Sequence, residues 1–187
     1  MPQTKILLDT NAYLRLAYTI HPLLFVSFGK KSYTLYVIED FQKEFNRRRR
    51  LKRNFPWVNQ KEFRDNRSKL INLSRQDKKN IDIAYSFIWD QNISLGLGTS
   101  EVDVRALAIG YVLNIPVVTD DKDMIDLAKS LNIRVMRILP LLSLMLNSKH
   151  ITLEKIKELV TYLDYTNDLP YKDFIKDVNH TFNLNLS

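Results

Sequence analysis

Asp9 ends the apolar run Lys5-Ile6-Leu7-Leu8. Asp103 lies in Ser100-Glu101-Val102-Asp103, and Asp120 and Asp121 follow Val117-Val118-Thr119, with Asp123 close behind. Each has an ordinary explanation. An aspartate between a strand and a helix caps the first free N–H groups of that helix. Ser100 with Asp103 reads as a capping box, and Asp120 and Asp121 complement the positive end of a helix dipole. As a set they point further. Ligands of open parallel sheets bind beyond the carboxyl ends of the strands, so Asp9, Asp103 and Asp121 are expected along one sheet edge. Converging carboxylates repel unless a cation lies between them. Oxygen donors with no cysteine and no paired histidine suit Mg²⁺ or Mn²⁺ rather than zinc or copper. A hard dication beneath a basic rim is equipped for phosphodiester hydrolysis, because it acidifies water and neutralises the charge that builds on the reacting phosphate.

The elements that position these acids are read from periodicity. Short apolar runs at Lys5–Leu8, Tyr33–Ile38, Ile115–Val118 and Arg134–Ile138 predict buried strands. Helices are expected at Ala12–Ala17, near Pro22, at Glu39–Arg50 with Phe41 and Phe45 on one face, at Ser100–Leu113, and at Asp121–Leu131 ended by Asn132. Two or three more fall between Trp57 and Asp90, with Leu70, Leu73, Ile81, Tyr85 and Ile88 facing inward. Strands alternating with helices predict an α/β fold, three-layered α/β/α, with a central, mostly parallel sheet of four or five strands. Thr152 reads as the N-cap of a helix burying Ile156, Leu159, Val160 and Leu163. A break at Asn167 and Pro170 precedes a second amphipathic segment through Tyr171, Phe174, Ile175 and Val178. Residues 1–148 are therefore taken as the main domain and 149–187 as a C-terminal helical extension. The extension either packs on the parent sheet, the favoured reading, or forms a dimer or partner surface.

Charge is unevenly spread. The net charge is +7, yet residues 30–79 hold 16 of the 28 Lys and Arg and only 6 of the 21 Asp and Glu. The densest piece is Arg47-Arg48-Arg49-Arg50-Leu51-Lys52-Arg53, followed by Phe55, Trp57 and Phe63. Such cations neutralise phosphates and release counterions, and aromatic faces stack on unpaired bases, so Arg47, Arg48, Arg49, Arg50, Lys52 and Arg53 are the candidate nucleic-acid contacts. A solvated helix face or an acidic protein partner would use the same residues.

Composition removes other classes. The 187 residues contain no cysteine, which excludes a disulfide scaffold, a thiolate zinc site and a thiol nucleophile and fits a reducing, cytoplasmic setting. No apolar run approaches the roughly 20 residues of a membrane span, and the first residues lack a leader's apolar core. Gly29-Lys30-Lys31-Ser32 has Leu24 where a phosphate loop needs its first glycine. His21, His150 and His180 fit no motif and are read as structural or exposed.

Three motifs resemble the PIN-domain family, and more narrowly the VapC-type ribonuclease toxins. They are Ile6-Leu7-Leu8-Asp9-Thr10-Asn11, Ser100-Glu101-Val102-Asp103 running into the alanine-containing helix Val104–Ala108, and Val117-Val118-Thr119-Asp120-Asp121-Lys122-Asp123-Met124. The match spans roughly residues 4–138, with motif order and spacing both in register. The resemblance implies a PIN-like fold carrying a basic helical insertion around 46–95, and a metal-dependent ribonuclease with an acidic pocket of Asp9, Glu44, Asp103 and Asp121. In that pocket Asp9, Asp103 and Asp121 would bind Mg²⁺ or Mn²⁺. Glu44, with Glu39 and Asp40 as competitors, would hold and help deprotonate the attacking water. Thr10, Asn11, Ser100, Thr119, Asp120 and Asp123 would orient these carboxylates. Implied partners are RNA, an antitoxin protein and a second copy of the chain. A PIN-fold protein that binds or processes RNA without a toxin role, with or without cutting, is the competing expectation. A dehalogenase-type phosphatase would need an aspartate where Asn11 stands, and a receiver domain would carry its acidic pair at the first strand.

Overall fold

The computed structural model describes residues 3–186. Its centre is a four-stranded, all-parallel sheet in the order β2-β1-β3-β4, formed by β1 (Thr4–Leu8), β2 (Tyr33–Val37), β3 (Val117–Val118) and β4 (Val135–Met136). Leu7 and Leu8 pair with Tyr36 and Val37 on one side and with Val117 and Val118 on the other. Strand order reverses direction at β1, so the crevice between the C-terminal ends of β1 and β3 is the topological switch point.

The strands alternate their side chains between two cores, as the pleat requires. Ile6, Leu8, Leu35, Val37 and Val118 enter one core; Leu7, Tyr36 and Val117 enter the other. The first core is covered by α1 (Thr10–Ala17), α2 (Phe41–Arg47), α8 (Ile138–Asn147), α9 (Leu153–Tyr165) and α10 (Phe174–Phe182). The second is covered by α5 (Arg75–Ser94), α6 (Glu101–Leu113) and α7 (Lys122–Ser130). The molecule is thus a three-layer α/β/α protein. No helix among the described residues is long and apolar enough to cross a membrane.

Between α2 and α5 lie α3 (Arg49–Asn54), a 3₁₀ turn (Pro56–Asn59) and α4 (Lys61–Arg67). The helix expected over Glu39–Arg50 starts only at Phe41 and breaks at Arg48, whose backbone is extended (φ −93°, ψ 98°). A continuous helix would stack the like charges of Arg47, Arg49, Arg50 and Arg53 at spacings of three and four, which is unfavourable. No helix forms near Pro22, where the chain makes turns and bends. Leu70 lies outside the helices and is 43% exposed, while Ile81 and Ile88 are buried as expected.

The C-terminal helices share the first core. Thr152 caps α9 by accepting from Lys155 N–H, and Ile156, Leu159, Val160, Leu163, Phe174 and Val178 are buried with residues of α1 and α8. Arg15 of α1 clasps Asp168 through its carboxylate and its backbone carbonyl, both at 3.1 Å.

Candidate active site

Asp9 and Asp121 are helix N-caps, and Asp103 is bound by the residue that caps its helix. Asp9 accepts from Ala12 N–H at 2.5 Å, Asp121 from Met124 N–H at 2.8 Å, and Asp103 from the Ser100 hydroxyl at 2.7 Å while Ser100 caps α6. The capping explanation is therefore real for Asp9 and Asp121, whereas the capping box expected at Ser100 and Asp103 is only half formed, since Asp103 bonds the Ser100 hydroxyl and not its backbone N–H. These bonds leave Asp103 Oδ1 and Asp121 Oδ2 without a hydrogen bond among the described residues.

Hydroxyls orient the acids in a regular way. The Thr10 hydroxyl donates to Glu44 Oε2 at 2.5 Å. Thr119, fully buried just after β3, accepts from Asp121 N–H at 3.1 Å and so fixes the turn into α7. The Ser100 hydroxyl binds Asp103. Asp9 is 2% exposed and Glu44 8% exposed, whereas Asp121 lies at the solvent edge.

The acids feel one another. Burial pushes the Asp9 carboxyl up to about 7, opposed by bonds from Thr119 and Ala12 and reinforced by repulsion from Asp103. Asp103 is also held above the ordinary carboxylate range, first by burial and then by repulsion from Glu44 and Asp121. Asp103 is thus the electrostatic hub linking Asp9, Glu44 and Asp121, which arrive from the ends of β1 and β3 and from α2. Gly110 sets the position of its helix. A Cβ there would stand 2.5 Å from Val117 Cγ2, so α6 lies closer to β3 than any larger residue allows.

The donor set fits a hard cation in kind: carboxylate oxygens, some of them unclaimed, with Arg48 and Arg15 supplying part of the balancing positive charge. Among the described residues, however, no three of His, Cys, Asp and Glu stand close enough together to chelate one ion. The carboxylates instead turn toward their own caps.

Some expected roles fall elsewhere. Asp120 does not orient the other acids. Its side chain is fully buried, binds Arg137 Nε at 2.8 Å and caps α8 through Ile138 N–H at 3.1 Å. Asp123 accepts from Gly98 N–H at 2.8 Å and pins the loop before α6. Asn11 is exposed and makes no hydrogen bond to an acid among the described residues. Of the competing second acids, Asp40 pairs with Lys43 at 3.1 Å and Glu39 is exposed, leaving Glu44 as the one joined to the pocket. The aromatics Phe55, Trp57 and Phe63 are buried in the first core, where they pack on one another and on Tyr13, and so are not available to stack on bases.

The basic tract is exposed from Arg47 to Arg50 and at Lys52 and Arg53. Arg48 is different from its neighbours: its guanidinium lies 2.9 Å from Glu44 Oε1. Two grooves meet at this residue. One, of about 530 Å³, runs past Glu44, Arg47, Tyr85 and Arg105. The other, of about 540 Å³, runs past Asn11, Arg15 and Arg50. Arg15, Tyr85 and Arg105 had no motif to announce them. Arg15 lies two turns into the helix that Asp9 caps, and Arg105 lies two residues beyond Asp103 on a helix whose facing was not resolvable from its apolar composition.

No family model, no curated protein and no solved structure matches the chain.

Proposed function

We propose that the chain is a metal-dependent endoribonuclease of the PIN type, in which Asp9, Asp103 and Asp121 would turn from their present hydrogen bonds to hold Mg²⁺ or Mn²⁺. The observation that carries this reading is the placement of acids from separate chain segments, Asp9 at the end of β1 and Asp121 just beyond β3, at the switch point of a parallel sheet, with Asp103 opening α6. A bound dication would supply Lewis acidity toward a phosphate oxygen and an attacking water. The remaining work belongs to the side chains. Arg47 and Arg50 hold backbone phosphates along the two grooves. Glu44, once parted from Arg48, accepts the proton of the attacking water, and the Thr10 hydroxyl keeps that carboxylate aimed. Ser100 holds Asp103 in place, and the Ala12 N–H holds Asp9, as they do here. Cutting within a chain suits two grooves that meet at Arg48, the ion-pair partner of Glu44.

The test is cleavage of single-stranded RNA in Mn²⁺ or Mg²⁺, expected for the wild type and lost on Asp9→Asn. Folded wild-type protein that cuts no RNA with either ion would overturn the proposal. A second reading, an RNA-binding PIN-type protein that does not cut, is favoured by the Arg48–Glu44 ion pair and by the engagement of each acid with its own cap. It predicts RNA retention in a gel shift with the strand intact after long incubation in Mn²⁺. A toxin role within the first reading predicts growth arrest on induced expression, relieved by Asp9→Asn and by co-expression of a small protein encoded directly upstream.

A further inference from the structure

We propose that the cavity between α4 and the β2–α2 connection binds a phosphate group, with Arg67 as its buried cation and Arg64 as its exposed one. This inference stands apart from the nuclease reading, since it requires no cleavage.

Arg67 is 7% exposed, and its guanidinium has no carboxylate within ion-pair distance among the described residues. Its hydrogen bonds go to neutral acceptors: Nη1 to the Tyr13 hydroxyl at 2.9 Å, and Nη2 to Val58 carbonyl at 2.7 Å and Gln42 Oε1 at 3.2 Å. It also lies over the rings of Tyr13 and Phe41, at 5.5 and 5.1 Å from their centroids. A guanidinium carries five N–H donors and does not lose its charge inside a protein. The Nε–H and one Nη1–H therefore have no protein partner among the described residues, and Nε is not sealed from solvent, so these donors are open to a ligand.

The same side chain lines a cavity of about 570 Å³, within the size range of small-ligand sites. Arg64, one helical turn earlier on α4, lines it too, so two guanidinium groups face one space. Asn46, Asn59 and Ser68 add neutral polar groups to its wall. Glu39 also borders the cavity but is exposed and makes no ion pair with either arginine among the described residues. Planar forks of this kind match the oxygen geometry of phosphate. Three donated bonds and two aromatic faces engage one side of the guanidinium and leave its remaining N–H edge free for an anion. A permanent charge beside a second one calls for an anion.

Inorganic phosphate, a nucleoside monophosphate and the backbone of RNA all carry that chemistry. Isothermal titration in the absence of divalent cations would use inorganic phosphate, adenosine monophosphate and an RNA decamer as separate probes. Saturable binding of at least one is expected, and the tightest identifies the source. Loss of one charge-assisted contact should weaken it by about tenfold. That loss is expected in Arg64→Gln, whose exposed position leaves the fold intact, and in Arg67→Lys, checked for an unchanged circular dichroism spectrum. Glu39→Gln should tighten binding severalfold by removing a repelling charge, and Lys172→Gln on the far C-terminal segment should leave it unchanged. Absence of saturable binding for all three probes, or binding that survives Arg64→Gln intact, would overturn the assignment.

Discussion

Asp103 bears repulsion from two directions, Glu44 on α2 and Asp121 at the start of α7, on top of the cost of its own burial. A neutral isostere removes that repulsion and keeps the bond from Ser100 in reach. Asp103→Asn should therefore raise the melting temperature in a chelating buffer by about 2–4 °C, the response of a chain this size to roughly 1 kcal/mol. The same variant should lose the further rise that millimolar Mn²⁺ gives the wild type, because ligand binding to the native state alone is stabilising. Thermal melts in chelator and in Mn²⁺ measure both. An unshifted wild-type melt in Mn²⁺ would leave the acids as caps and nothing more. A second residue-scale effect is independent of the pocket. His150 stacks on Phe28 with ring centroids 4.6 Å apart, and burial holds its pKa below the usual 6.5. The unfolded chain thus takes up this proton first as pH falls, so the stability it confers is present above 6.5 and is lost as pH drops through the folded value. His150→Phe keeps the stack without the proton, and its melting temperature should fall less between pH 7.5 and pH 5 than that of the wild type.

At the scale of elements, α6 is held by one missing side chain. Glycine inside a helix costs about 0.5–1 kcal/mol relative to alanine, and at Gly110 that cost permits the approach to β3 on which the position of Asp103 depends. Gly110→Val forces a branched side chain into Val117 and into Ile115 carbonyl, which a Cβ would already approach to 3.3 Å. A loss of about 1–3 kcal/mol is expected from such overpacking, read from urea melts. Activity or Mn²⁺ binding should fall further than stability predicts, as Asp103 moves with its helix. This contact was not legible in the sequence, where Gly110 is one more small residue in an apolar run. What was legible had strong local causes. Ile6-Leu7-Leu8 ending in Asp9, and Val117-Val118 ending before Asp121, read as short buried strands, and their parallel pairing brings both following acids to one sheet edge. Thr152 and Asn132 announced helix ends through capping and left-handed backbone, and Asn132 indeed has φ +53°. The failures lie where tertiary packing overrides local pattern. Trp57 and Phe63 look like stacking platforms beside arginines, yet they are consumed by the aromatic core around Tyr13. Asp120 looks like a member of the acid cluster, yet Arg137 and the start of α8 claim both its oxygens.

Over the whole molecule, charge is segregated along one sequence stretch, and the fold places that stretch beside the acids. Arg47, Arg49 and Arg50 are exposed around the point where α2 gives way to α3, with the two grooves meeting at Arg48. If RNA lies in those grooves, its affinity must fall steeply with salt, because each neutralised phosphate of a single strand adds about 0.7 to the slope of log K against log salt. Arg49→Ala and Arg50→Ala should each flatten that slope by about this amount. Arg48 should behave differently. In the free protein its guanidinium is spent on Glu44, so the charge it offers a phosphate is partly cancelled, and Arg48→Ala should flatten the slope by less than either neighbour. Filter binding of a short RNA to Asp9→Asn protein across a range of KCl concentrations separates these outcomes without interference from cleavage. Equal slope changes at all three arginines would show that the ion pair does not persist when RNA binds. No change at any of them would assign the basic tract to a partner other than RNA and move the strand to the groove lined by Tyr85 and Arg105.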